Sequence, residues 1–472
     1  MKRILISLLL VASTTLISAQ ENHDQMVCSL GFTYEISQSA NWAKGKPVVK
    51  VVQPGTSAAE AGLKQNDYIE EINGKSVYGM GMNELKPALN VNGEDAVVLT
   101  VKNLAGPSHK VLITKNCKLE GTITEDQLAD AFSMYSLETT GDVDFTCPFK
   151  LVVTPDAINF GDFHTFAFAS IDENNRQMET TINEYIKKAL TDKGLTVDTK
   201  NPDMTVQTFY FFDKNPNYKG TTPQTRGYVY RYDIANSKMM QFPFMENANE
   251  ADAPYLLQLG VRLIDRQYVP GRVIWECEAN ELLLNSYRLE DYARVHIPLM
   301  FMQYPYAKYK NNARFHVSRR SYNYTGISYD IDKLDYVVAI DEAGPAYFAG
   351  IRKGDIIEKI GRQKMNHSAE EFSEAYKHFI SYTMSQRDPT EIYTDSNGFT
   401  YCMYWNPMNY AEVSDAVKKP ENMAAFAYLY YFEPYMNLSG NNECTFTVNR
   451  DKTSLAAIIR PEVRSSATIE VK

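Results

Sequence analysis

Residue patterns suited to side-chain chemistry are sparse in this chain, and Ser29-Leu30-Gly31-Phe32 sets a glycine between apolar residues just ahead of a strand-like run. No G-x-S-x-G elbow, H-E-x-x-H zinc helix or G-N-S-G-G nucleophile motif occurs. His164, His296 and His316 stand isolated among apolar or strand-like residues, where a lone imidazole serves structure more often than catalysis. Asp395-Ser396-Asn397-Gly398 reads as a hairpin turn. A Ser–Lys dyad stays open, because its partners need not be adjacent in sequence. The six cysteines, at 28, 117, 147, 277, 402 and 444, include no C-x-x-C pair. They read as mostly buried free thiols with room for one bridge. No catalytic residue, metal or cofactor is expected.

The element that must position the Gly31 loop comes twice. Val49 to Val77 returns as Val337 to Met365 at a constant offset of 288, pairing Ala61-Gly62-Leu63 with Ala349-Gly350-Ile351, Asp67 with Asp355, and Ile69, Glu70 and Ile72 with Ile357, Glu358 and Ile360. Each copy reads as a strand, a short Ala-rich helical turn stopped by glycine, a buried aliphatic residue and an Asp-led strand.

This pattern resembles the PDZ family, and Ser29-Leu30-Gly31-Phe32 looks like that family's carboxylate-binding loop. In the first copy the order continues through Thr33-Tyr34-Glu35-Ile36, a helix near Met82 to Leu89, and closing strands at Val97 to Lys102 and Lys110 to Thr114. The resemblance implies that loop N–H groups hold a ligand's terminal carboxylate while the ligand adds a strand beside the loop. Carried over, the peptide-binding residues are Ser29, Leu30, Gly31, Phe32, Thr33 and Tyr34, with Met82, Leu85 and Leu89 as groove wall. Met82 stands where many family members carry a histidine, so an apolar residue two before the ligand's C-terminus is expected. The competing expectation is a groove filled by the protein's own chain.

In the second copy the corresponding loop is the looser Thr325-Gly326-Ile327, with Arg319 and Arg320 upstream and a helix opening at Ser368, whose Ala369 and Phe372 would face a ligand. The two arginines also read as solvated surface residues. The closing strands wait until Cys444 to Val448 and Ala456 to Arg460, leaving an insertion of about 384–442 with a Tyr-rich stretch from Ala424 to Tyr435. An insertion of this length beside the groove helix would cover the groove, extend it or pack on a neighbour.

Between the copies, Thr124 and Gln127 form a capping-box pattern for a short helix, and TTGDVDF reads as a turn-like linker. Ile182, Ile186 and Leu190 mark a helix over Met178 to Leu190, followed by a strand Met204 to Phe212, a hairpin at Gly260 to Asp265 and Arg272 to Ala279, and a helix around Leu289 to Phe301. FHTFAF, NPDMTV, GVRLID and RVIWECEAN in this region resemble an uncharacterised domain of bacterial envelope lipoproteins, which implies an α+β fold.

Lys2 and Arg3, the apolar run Ile4 to Ile17 and Ser18-Ala19 read as a signal peptide over 1–19. No later run reaches the ~18 apolar residues of a bilayer span. Without Lys2 and Arg3 the chain carries 46 basic against 58 acidic residues, a net charge of −12 that argues against a nucleic-acid partner. The expected architecture is multidomain α+β: two PDZ-like, partly open β-barrels with two helices each, at 20–118 and 313–472, around a central α+β sandwich at 159–312 that a linker over 119–158 precedes. The expected function is a non-catalytic periplasmic or secreted scaffold. Its partners would be C-terminal or extended segments of envelope proteins. The alternatives are a divergent envelope protease or protease accessory, and a purely structural protein with blocked grooves.

Overall fold

The computed structural model describes residues 26–89, 95–131, 141–154, 158–220, 229–245, 248–361, 363–365, 367–393, 402–405, 407–417, 419–424 and 443–472. The leader-like segment, Asp395 to Gly398 and nearly all of the Tyr-rich stretch lie outside these residues. The chain packs as two compact units, one of Ser29–Asn116, Asp144–Val317 and Thr468–Lys472, the other built on Cys117–Val143 and Ser318–Ala467 together with Cys28.

In the first unit, the first repeat forms an antiparallel sheet in the order Phe32–Ile36, Pro47–Val52, Tyr68–Ile72, Ala96–Lys102, His109–Thr114, with Lys75–Ser76 turned back on Tyr68–Ile72. It is an open sheet, not a closed barrel. Period-two burial dictates its packing: Val97, Leu99 and Val101 face inward with Val111 and Ile113 beside them. The helix Met82–Leu89 adds Leu85 and Leu89, one helical turn apart, to the same cluster.

The central region of this unit is an eight-stranded mixed sheet. Its order is Thr196–Val197, Thr165–Phe168, Met204–Lys214, Tyr255–Asp265, Val273–Leu283, Gly141–Val153, Asn311–Tyr324, Glu462–Val471. The helix Arg176–Thr191 buries Met178, Ile182, Ile186 and Leu190 and packs against the helix Leu289–Phe301. The strand Gly141–Val153 corrects the expected linker. Phe145, Cys147, Phe149 and Leu151 are buried while Thr146 and Lys150 are exposed, an alternation that outweighs the turn-like glycine and Pro148.

First repeat and central region share core material within this unit. Trp42 is 1% exposed, its indole N–H donates to the Asn66 carbonyl at 2.6 Å, and its ring meets Tyr68 edge-on at 5.1 Å. A Cβ on Gly161 would lie 3.0 Å from the indole. Beside it the Asn41 amide donates to the Ile158 carbonyl at 3.0 Å and the Phe160 N–H donates to the Asn41 carbonyl at 3.1 Å.

In the second unit, the second repeat is split between two sheets. One orders Val337–Ile340, Ile327–Asp330 and Thr122–Thr124; the other orders Gln363–Lys364, Ile356–Ile360, Cys444–Arg450 and Thr453–Ile459. The helix Ala369–Thr383 opens with the Ser368/Glu371 capping box. In the inserted region, Val413 and Ala416 on the helix Tyr410–Val417 join the core of this repeat. Cys28 and Cys117 form a disulfide, while Cys147, Cys277 and Cys444 are buried thiols.

The offset of 288 holds for three core bonds: Val49 N–H to Asp67 O recurs as Val337 to Asp355, Asn66 to Val49 as Gly354 to Val337, and Val77 to Glu70 as Met365 to Glu358. The loop bond from Gln53 to Gly31 recurs as Asp341 to Gly326, where the donor keeps the offset and the acceptor glycine lies seven residues further on. The Asp67 carboxylate accepts the Lys64 N–H at 2.9 Å, and Asp355 accepts that of Arg352 at 2.8 Å. Identical spacing yields identical local closure.

Replacing the buried indole tests the shared core. Trp42→Ala is expected to destabilise the first unit by about 3–5 kcal/mol, read as an earlier urea transition for that unit. An unchanged transition would show that the indole carries no packing load.

Candidate functional site

In the first repeat, loop, strand and helix converge on one apolar cluster. Leu30, Phe32 and Tyr34 pack half-buried against the core that holds Leu85 and Leu89. Ser29 and Thr33 are exposed, and Met82, at 39% exposure, stands at the helix start. Phe32–Ile36 is the edge strand of its sheet, paired only with Pro47–Val52 among the described residues. An edge strand presents unpaired main-chain groups to an incoming chain.

Gly31 shapes the loop. Its φ of +75° lies in the left-handed region, and a Cβ there would sit 2.5 Å from the Thr56 side chain, so only glycine lets the loop press against the short helix Ser57–Glu60. Among the described residues no acceptor meets the N–H groups of Leu30 and Gly31.

The second repeat builds the same loop and fills it. Gly326 has a φ of +86°, and a Cβ there would lie 3.2 Å from the Cα of Gly344, the residue 288 positions after Thr56. The N–H groups of Thr325 and Gly326 donate to one carboxylate oxygen of Glu125, at 2.8 and 3.1 Å. The Thr325 hydroxyl donates to the other. The strand that precedes Glu125, Thr122–Thr124, runs antiparallel to Ile327–Asp330 with Thr124 opposite Ser328, Ile123 opposite Tyr329 and Thr122 opposite Asp330. Ile123 and Leu128 are buried in the core of this repeat.

Sequence reasoning placed Thr325, Gly326 and Ile327 in the loop; all three are buried there. It missed Glu125. The residue sits between Thr124 and Gln127, whose side chain accepts the Thr124 N–H at 3.0 Å as a helix cap would, and nothing local marks Glu125 for burial 200 positions from its partner. Arg319 and Arg320 lie half-buried upstream on the strand Asn311–Tyr324. Ala369 and Phe372 lie on the helix Ala369–Thr383, with side chains outside the described residues.

Two histidines of the central region have partners within the fold. His316 Nδ1 lies 2.7 Å from Asp144, and His296 is buried with Nδ1 2.9 Å from the Tyr292 carbonyl, its pKa held well below the usual value by desolvation.

Burial pushes the Glu125 carboxyl up to about 7 even though Thr325 and Gly326 donate to it, and nearby Asp341 adds to the rise. Tyr324 and Tyr322 also face it, and the Tyr324 hydroxyl donates to Asp341 at 2.6 Å. An acid raised in the folded state binds its proton more tightly there. Its stabilising contribution is therefore complete below about pH 4.5 and is lost as pH rises through about 7, on the order of 3 kcal/mol in all. Thermal melts of the second unit are expected to show this decline, and Glu125→Gln to abolish it. A decline of the same size in the variant would place its origin elsewhere.

The model of a PDZ domain matches residues 48–103, and that of a domain of unknown function (DUF4136) matches 153–306. No curated protein matches the chain. A crystal structure of a PDZ domain protein from Parabacteroides distasonis is 58% identical, with a TM-score of 0.82 over 95% of this chain and 100% of its own. The HtrA3 PDZ domain bound to a phage-derived ligand is 19% identical over 21% of this chain and 92% of its own, at a TM-score of 0.18. The PelC dodecamer from Paraburkholderia phytofirmans is 10% identical over 34% of this chain and 94% of its own, at 0.17. With full-length likeness to the Parabacteroides protein and the domain match over its first repeat, the chain belongs to the family of PDZ domain proteins.

Proposed function

We propose that the first repeat is an open peptide receptor and that the chain acts as a non-catalytic scaffold. It takes C-terminal or extended segments of envelope proteins by strand addition beside Phe32–Ile36. The observation that carries this reading is the occupant of the second repeat. There a loop built on the same glycine geometry holds a carboxylate on two successive N–H groups, at the end of an added antiparallel strand. The first repeat offers the same loop with the N–H groups of Leu30 and Gly31 unengaged among the described residues.

The second repeat is, on this reading, a second PDZ module, supported by the recurrence of the three core bonds at an offset of 288. The notion of an internally filled groove describes that module rather than the first. Export to an envelope compartment is supported by the leader-like Lys2 to Ala19 and by the Cys28–Cys117 disulfide, since such bonds persist in oxidising surroundings.

Ligand preference follows from Met82. An exposed thioether at the helix start favours an apolar side chain two before the ligand's terminus. Calorimetric titration of the full chain with peptides carrying free or amidated C-termini tests the reading. A free-carboxylate peptide with an aliphatic residue at that position is expected to bind with a Kd on the order of micromolar. Amidation and Gly31→Pro are each expected to weaken it by roughly tenfold or more, the loss of one to two charge-assisted hydrogen bonds. Equal binding of both peptide forms, or of neither, would overturn it.

A further inference from the structure

We propose that the second groove is itself a peptide-binding site, closed by the chain's own Thr122–Glu125 and opened by a competing segment that ends in a free carboxylate and carries an aliphatic side chain two residues before that end. The inference rests on reading the second repeat as a PDZ module.

The occupant mimics a ligand in three respects. Its strand runs antiparallel to Ile327–Asp330, its carboxylate sits on the Thr325 and Gly326 amides, and Ile123, two residues before Glu125, is buried at 5% exposure. It is also an imperfect mimic. The chain turns into the helix Glu125–Ala131 directly after Thr124, so no main-chain carboxylate reaches the loop. A glutamate side chain reaches in its place, and its charge is desolvated to do so. The added strand is three residues long. A true C-terminal segment would supply the same carboxylate, the same antiparallel pairing and the same buried aliphatic residue, without the turn into a helix.

What keeps the groove closed is tethering together with Leu128, which is buried in the same core. A tethered segment acts at an effective concentration of roughly millimolar. If its own affinity is on the order of micromolar, the groove is open about one part in a thousand, and a free peptide binds that much more weakly than to an open groove. Strengthening the competitor or weakening the occupant should therefore reveal the site.

The test is a titration of the full chain with a peptide ending in isoleucine-threonine-valine with a free carboxylate. One micromolar site is expected in the unmutated chain. Glu125→Ala is expected to add a second site, with its affinity raised by roughly a hundredfold or more over the unmutated groove, and that site is expected to persist when Gly31→Pro disables the first groove. An unchanged number of sites in Glu125→Ala, in both backgrounds, would overturn the inference and leave the first groove's role standing. A single site seen only in Glu125→Ala, with none in the unmutated chain, would sustain the inference while ending the reading of the first groove. Should Glu125→Ala fail to fold, the unmutated chain serves. A photoreactive side chain two residues before the peptide's end is expected to cross-link to Ser328–Asp330 only at concentrations far above those that fill the first groove. Its absence there at millimolar peptide would count against the proposal.

Discussion

A carboxylate on two adjacent main-chain N–H groups is the interaction around which the second repeat is arranged. It requires a loop that turns sharply enough to point successive amides at one place, and Gly326 supplies that turn at a positive φ; Gly31 has the same geometry, and each presses on the residue ahead of a short helix. It also requires a strand whose outer edge is free to receive a chain. In the second unit both requirements are met and used, by Glu125 and the strand before it. In the first unit both are met, and the loop amides stay unengaged among the described residues.

Among the described residues, neighbouring side chains hold these loops in place. Asp67 and Asp355 each accept the N–H three residues earlier and fix the corner behind the loop. Arg450 pairs with Asp355 at 2.7 Å and donates to the Gly350 carbonyl at 2.7 Å, locking the same corner in the second repeat. In the first unit Trp42, packed against Gly161, and Asn41, bonded to the Ile158 carbonyl, tie the repeat to the segment that leads into the strand Thr165–Phe168. In the middle region, Glu179 accepts the Tyr210 hydroxyl at 2.5 Å and the Asp172 N–H at 3.0 Å.

Much of this was legible because it is local. The repeat carries its own turn chemistry, so the glycines and the aspartates follow from spacing, the helix Met82–Leu89 follows from the resemblance to the PDZ family, and the helix Arg176–Thr191 follows from the helical period of Ile182, Ile186 and Leu190. Strand Gly141–Val153 was hidden because TTGD and Pro148 signal a turn more loudly than four alternating apolar residues signal a strand. Glu125 was hidden for a different reason. Its role depends on a loop 200 positions away, and in its own neighbourhood it looks like any acidic residue in the first turn of a helix. Non-local pairing of a polar side chain leaves no periodic trace.

The account turns on whether the two loops are in different states. Amide hydrogen exchange of Leu30, Gly31, Thr325 and Gly326 in the unliganded full chain measures this directly. Thr325 and Gly326 are predicted to be protected from the outset, with Leu30 and Gly31 exchanging freely until a free-carboxylate peptide is added. Rapid exchange at Thr325 and Gly326, or protection at Leu30 and Gly31 without ligand, would contradict it.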